Sequence, residues 1–147
     1  MLFNLSLMAL ALPLIAGILV GLFGKKIGKL FTNSVTILGV FASFVISIYL
    51  LATILETPSL IFNQNVYTWL EIGSYNFSIG LLIDNLTVSM MVVVNFISLM
   101  VHIYTIGYMH NDPGYHRFFC YISLFTFAML SLVMANNFLQ LFFGWEA

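Results

Sequence analysis

A carboxylate, Glu146, stands inside the apolar run Phe138-Leu-Gln-Leu-Phe-Phe-Gly-Trp-Glu-Ala147. Asn137 is a helix-capping residue type, and Glu146 lies nine residues beyond it. At helical spacing that is about 13 Å of rise, close to the midplane of a hydrocarbon core about 30 Å thick. An ionisable group at that depth costs about 2.5–3.5 kcal/mol and marks a functional position with a partner elsewhere. Desolvation favours its neutral form and a nearby lysine its ionised form. A carboxyl held between the two can take up and release a proton, so Glu146 is the candidate intramembrane proton carrier. Gly144 beside it permits a close helix approach, and Trp145 fills volume.

His102, in an apolar stretch farther upstream, has two readings: a member of a proton relay or a hydrogen-bonded packing residue. His110 and His116 flank Asp112 in a polar loop and are expected to be solvated. No cluster has the ligand spacing of a metal site. The single Cys120 reads as a small buried hydrophobe. No glycine-rich phosphate loop or CxxC pair occurs, so no cofactor is expected in this chain.

The elements that position these groups are membrane spans. The 147 residues are 62% hydrophobic and 6% charged, whereas a soluble domain is about 25% charged. Mean hydropathy is +1.09. Four stretches reach the roughly 20 residues a span requires: Leu2–Phe23, Phe31–Leu55, Asn85–Tyr108 and Arg117–Ala135. A fifth, incomplete, covers 138–147. The expected fold is thus all-α and integral to the membrane, forming the N-terminal part of one polytopic domain over 1–147. No basic stripe is present to bind nucleic acid. Met1-Leu-Phe-Asn carries no positive charge ahead of the first apolar run, unlike a secretory signal.

Lys25, Lys26, Lys29 and Arg117 all fall in or beside two loops, 24–30 and 109–116, which two crossings place on one side. The positive-inside rule makes that side cytoplasmic, leaving the N-terminus and the 56–83 segment outside. Asp112-Pro113-Gly114 supplies turn chemistry. Asp84 or Asn85 is expected to cap the third helix and Asn137 the fifth. In the outer segment, Val66–Ile72 is rich in β-formers and Tyr75–Gly80 alternates with period two. Gly73-Ser74 joins them as a two-residue turn would, so a short β-hairpin is expected, with Tyr67, Trp69 and Tyr75 at the membrane surface. Ser89, Asn95 and Ser98 read as interhelical hydrogen-bonding residues, and Gly17, Gly21 and Gly28 as close-packing positions. Pro13 is expected to kink the first span.

Four stretches also resemble one family: Ile83-Asp-Asn-Leu-Thr-Val-Ser-Met-Met-Val-Val-Val94, Val101-His-Ile-Tyr-Thr-Ile-Gly-Tyr-Met109, Asp112-Pro-Gly-Tyr-His-Arg-Phe-Phe119 and Asn136-Asn-Phe-Leu-Gln-Leu-Phe-Phe-Gly-Trp-Glu146. They are similar to the start of the antiporter-like L subunit (chain 5) of respiratory complex I, the proton-translocating NADH:quinone oxidoreductase. The resemblance implies a bundle of many helices in two inverted halves, within the membrane arm of a bacterial inner-membrane complex. It implies that Glu146 pairs with a lysine on a later, broken helix. NADH, FMN, iron–sulfur clusters and quinone are implied only in partner subunits, and the other membrane-arm subunits and the lipid bilayer are the implied partners. Two further readings stand beside it: the large subunit of a multi-subunit cation/proton antiporter, and an inert truncated fragment. The unfinished fifth helix leads to the expectation of an N-terminal portion of a longer product, incapable of translocation alone. The intact mass of the native protein, against 16.6 kDa for these residues, tests that expectation.

Overall fold

The computed structural model describes residues 1–147. Four long helices, α1 (Leu2–Ile27), α2 (Lys29–Glu56), α3 (Asn85–Tyr108) and α4 (Tyr115–Val133), are long and apolar enough to cross a membrane. A short fifth helix, α5, covers Phe138–Glu146, and an antiparallel hairpin, β1 (Phe62–Ile72) and β2 (Tyr75–Ile83), joins α2 to α3. The expected helical membrane architecture with a β-hairpin in the 56–83 segment is therefore what the chain forms. α1 and α2 are longer than the apolar runs alone suggest, because the lysine-bearing turns beyond the runs remain helical.

Gly28 alone separates α1 from α2, with φ at +108°. An added Cβ there would meet nothing within 4 Å. Its role is thus backbone conformation, not the helix packing expected of it. Gly17 and Gly21 do mediate packing: a Cβ on Gly17 would lie 3.3 Å from Leu124 and Ser123, and one on Gly21 3.1 Å from the Cys120 sulfur. These small residues seat α1 against α4. Pro13 lies buried within α1, which runs unbroken on both sides of it.

The hairpin turns at Gly73-Ser74, with Gly73 at φ +61°, and pairs Ile72 with Tyr75 through to Phe62 with Ile83. It extends farther than the sequence pattern suggests. Its base enters the core, where Leu81 and Ile83 are buried, while Tyr67, Trp69 and Tyr75 stay exposed. Asp84 then caps α3, its Oδ1 accepting from Thr87 N at 2.7 Å.

The interior changes character along the length of the bundle. Toward the hairpin it is mainly apolar, built from Leu50, Ile54, Val88, Met91, Leu130 and Met134 with Leu81 and Ile83, beside buried Ser6 and Thr87. Toward the opposite end, buried Thr32, Thr36, Ser43, Ser47, Asn95, His102, Thr105, Ser123 and Thr126 fill much of the space between helices. Without water in a bilayer core, each such group needs a protein or internal partner.

At the end of the bundle away from the hairpin, the two loops are tied together. Lys29 Nζ donates to His110 O and lies 5.2 Å from the centre of the Tyr115 ring. The Tyr115 hydroxyl donates to Asn33 Oδ1. The Asp112-Pro113-Gly114 turn closes as expected, Asp112 Oδ1 accepting from Gly114 N at 2.6 Å. His116 is not the solvated loop residue anticipated. It opens α4 and is half-buried, with Nδ1 2.7 Å from Thr32 Oγ1, because Gly24 leaves room for both side chains.

Candidate proton-handling site

Glu146 is the last residue of α5, so its position depends on how α5 is held. Asn137 caps the helix, its Oδ1 accepting from Gln140 N at 2.8 Å. The same side chain reaches back to the hairpin, Nδ2 donating to Ser78 O at 2.6 Å. Asn136 Nδ2 donates to both Asn63 Oδ1 and Asn65 Oδ1, and Gln140 Oε1 accepts from Gly80 N at 2.9 Å. Leu82 N donates to Met134 O, extending the hairpin's ladder onto the α4–α5 connection. Trp69 and Phe143 meet edge to face at 6.4 Å. The start of α5 is therefore bound mainly to a segment about sixty residues upstream.

Two glycines make this docking feasible. A Cβ on Gly80 would come within 2.1 Å of Asn136 Nδ2 and 2.7 Å of both Asn65 Oδ1 and Gln64 O. Gly80→Ala should therefore push the asparagine pair off the hairpin. We expect a loss of about 1–3 kcal/mol, the range for overpacking, read as a lowered melting temperature of the purified protein. On α5, a Cβ on Gly144 would sit 2.9–3.0 Å from Leu132 N, Cα and Cβ. The expected close approach at Gly144 is present, and its partner is the last turn of α4.

Past this contact α5 runs on beside the bundle: Ala147, the residue after Glu146, lines a recess together with Leu14, Leu124 and Ala128 from the middle of α1 and α4. Glu146 is exposed, with exposed Phe142, Phe143 and Trp145 around it. The four cationic side chains are at the opposite end: Lys25 and Lys26 close α1, Lys29 opens α2, and Arg117 lies in the first turn of α4. None can reach Glu146.

His102 occupies a separate place. It is fully buried, against side chains of α3 and α4. Its Nδ1 lies 2.7 Å from Ser98 O and 3.3 Å from Ser98 Oγ, and its Nε2 is 3.3 Å from Ser123 Oγ. Ser98 Oγ and Thr126 Oγ1 are 2.5 Å apart, and the Phe119 ring packs 5.9 Å from the imidazole. Both ring nitrogens have partners, so the residue is satisfied, and hydroxyls that can relay a proton surround it. The structure does not bring Glu146 and His102 together: one stands on the outer surface of the bundle, the other in its interior. Asn95 and Ser98 do bond between helices as expected, to Ser47 and Thr126. Ser89 does not; it is exposed and donates to Asn85 O within its own helix, as isolated serines in helices do.

Sequence reading missed the residues that hold α5, chiefly Gly80, Asn136 and Gln140. Their partners are 60 to 73 residues away, and no local pattern signals such pairs. Three side-chain amides within Asn136-Asn137-Phe138-Leu139-Gln140, at the start of an apolar helix, are the one clue the sequence offered.

A family model described as the N-terminus of NADH-ubiquinone oxidoreductase (complex I) chain 5 matches residues 69–119, from the hairpin into α4. NADH-quinone oxidoreductase subunit L of Neisseria meningitidis serogroup A is 57% identical over 98% of this chain and 22% of its own length. Chain 5 of the NADH-ubiquinone oxidoreductase of Dictyostelium discoideum is 44% identical over 93% of this chain and 20% of its own. Subunit L of Rickettsia typhi is 42% identical over 97% and 22%. The chain spans about a fifth of the length of these relatives. With the spans, hairpin and Gly-Trp-Glu helix in place and this similarity along nearly its whole length, the chain belongs to the subunit L/chain 5 family of NADH–quinone oxidoreductases.

Proposed function

We propose that this chain supplies the first helices of the antiporter-like subunit in the membrane arm of a proton-translocating NADH:quinone oxidoreductase, and that Glu146 carries protons there. The observation that carries the reading is an exposed carboxylate on a helix that two regions of the chain conspire to fix. Holding an ionisable group on an apolar surface is unfavourable by about 2.5–3.5 kcal/mol unless a partner meets it. The exposed aromatic face around Glu146 is where further helices, with a basic partner, would pack.

In this reading the chain handles no electrons and binds no cofactor. NADH, FMN, iron–sulfur clusters and quinone belong to companion subunits. The helices sit in a bacterial inner membrane, with the lysine-bearing turn 24–30 and the loop 109–116 cytoplasmic and the hairpin outside. The other membrane-arm subunits and lipid, not nucleic acid, surround it. His102 stands in this scheme as a relay candidate distinct from Glu146.

Affinity purification of the tagged native protein from its own membranes tests the assignment. Co-purification of NADH-oxidising, quinone-reducing activity is the expected result. Recovery instead with small antiporter subunits and no NADH oxidation would replace it with the cation/proton antiporter reading.

A further inference from the structure

Three helix ends meet where the cationic residues lie. Lys25 and Lys26 close α1, Lys29 opens α2, and Arg117 stands in the first turn of α4. Packing draws these ends together. A Cβ on Gly24 would lie 3.1 Å from Thr32 Oγ1 and 3.3 Å from His116 Nδ1, and those two atoms are themselves 2.7 Å apart. Lys25 follows Gly24 in the chain and Arg117 follows His116, so both cations flank that contact. Lys25 and Lys29 are near enough for their charges to act on His116. All four cationic side chains are exposed.

No carboxylate neutralises them. The acidic residue at this end is Asp112, whose Oδ1 accepts from Gly114 N, and none of the four cations forms an ion pair. Lys29 turns instead to a backbone oxygen, His110 O, and to the face of Tyr115. Gathered like charges repel one another and work against the compact state, unless anions from outside the chain meet them.

The shape of the tip narrows the choice of anion. Gly28 is the one residue between α1 and α2, so no loop carries the lysines out into water. Ile27 and Leu30, beside Lys26 and Lys29, are 58% and 82% exposed. Apolar groups so placed leave water if the tip lies in the interfacial layer of a bilayer. There, lysine stems run along hydrocarbon while the charged heads reach the phosphates. Phe118 and Tyr121, next to Arg117 and one turn beyond it, are exposed as well, and aromatic rings with a polar tip suit the same layer. Basic clusters between transmembrane helices are the usual receptors for anionic head groups.

We propose that the junction of α1, α2 and α4 binds the phosphate head group of an anionic phospholipid, with Lys25, Lys29 and Arg117 as its ligands. This site lies apart from Glu146 and does not depend on the role proposed for that residue.

Photolabelling tests it. The full-length protein is placed in phosphatidylcholine vesicles that hold a trace of phosphatidylglycerol with a photoreactive group beside its phosphate. Adducts are expected on residues 23–31 and 115–121, displaced by unlabelled phosphatidylglycerol and not by inorganic phosphate. Lys25→Gln combined with Arg117→Gln should cut the yield there about thirtyfold, which corresponds to about 2 kcal/mol for two cations. Lys26 and Lys29 remain in that protein to hold its orientation. The charge-conserving pair Lys25→Arg and Arg117→Lys should keep the wild-type yield. Equal labelling by phosphatidylcholine carrying the same photoreactive group overturns the proposal, as does unchanged labelling in the double glutamine protein. Displacement by inorganic phosphate overturns the lipid as occupant and leaves a site for a soluble anion. Lipid contact is read without any proton flux, so an inert Glu146 would not alter the result.

Discussion

Replacing Glu146 with Gln in the complete subunit should leave the complex assembled and oxidising NADH while sharply reducing proton release per electron pair. Gln preserves the volume and hydrogen-bonding outline of the carboxyl but cannot give up a proton. A side chain positioned for proton transfer contributes about 10²–10⁴-fold to the step it serves, so flux through this path should fall by at least about a hundredfold. Assembly should not suffer, since an amide is cheaper than a carboxylate to hold in an apolar setting. The measurement is acidification by sealed native vesicles during NADH oxidation, with the subunit content checked in parallel. Glu71→Gln serves as the control. Glu71 is exposed on β1 opposite Asn76, outside the spanning helices, and its loss should change nothing. Pumping at the wild-type ratio in an assembled Glu146→Gln complex would remove Glu146 from the mechanism.

Gly144→Val is the second substitution with a large expected effect, and its sign rests on two opposed terms. In an exposed helix interior, replacing Gly with a better helix former such as Ala gains about 1 kcal/mol, and less for a β-branched residue. Against this, the first added carbon would lie 2.9–3.0 Å from Leu132 N and Cα. Those are backbone atoms of α4 and cannot swing aside as a side-chain tip would. Overpacking costs about 1–3 kcal/mol, so the clash exceeds the propensity gain. The relief available is for α5 to move away from α4, carrying Glu146 with it. Both melting temperature and proton release should therefore drop, and Gly144→Ala should give the same effect at smaller size. A Gly144→Val protein with an unchanged melting temperature would mean that α5 is not pressed against Leu132.

Some of this arrangement was legible in the sequence. The four spans follow from hydropathy because a bilayer imposes a length of apolar chain. The hairpin tip follows from Gly73-Ser74 between two β-forming runs, and the caps from Asp84 and Asn137, since these signals are local and chemical. What was not legible depends on distant pairing. The attachment of α5 to the hairpin through Asn136, Asn137 and Gln140 is such a case, and nothing near residue 137 records it. His116 read as a loop residue because its partner, Thr32, is 84 positions away. Gly28 read as a packing glycine because sequence alone does not separate a positive-φ glycine from one in close contact. The polar side chains of α3 were individually visible, yet their alignment with Ser43 and Ser47 of α2 depends on the register between helices.

The hairpin's construction has a practical consequence for probing this protein in living cells. Along β2, Ser78, Gly80 and Leu82 each make a bond that anchors the α4–α5 connection, so a one-residue deletion there would present the wrong face at every anchor. The tip carries no such obligation. A Cβ at Gly73 meets nothing within 4 Å, and Ser74 is exposed. A short peptide tag spliced between Gly73 and Ser74 would extend the turn without altering the register below it. That position offers an antibody or a fluorophore a handle on one face of the membrane, where labelling of intact cells reads the sidedness of the whole chain directly.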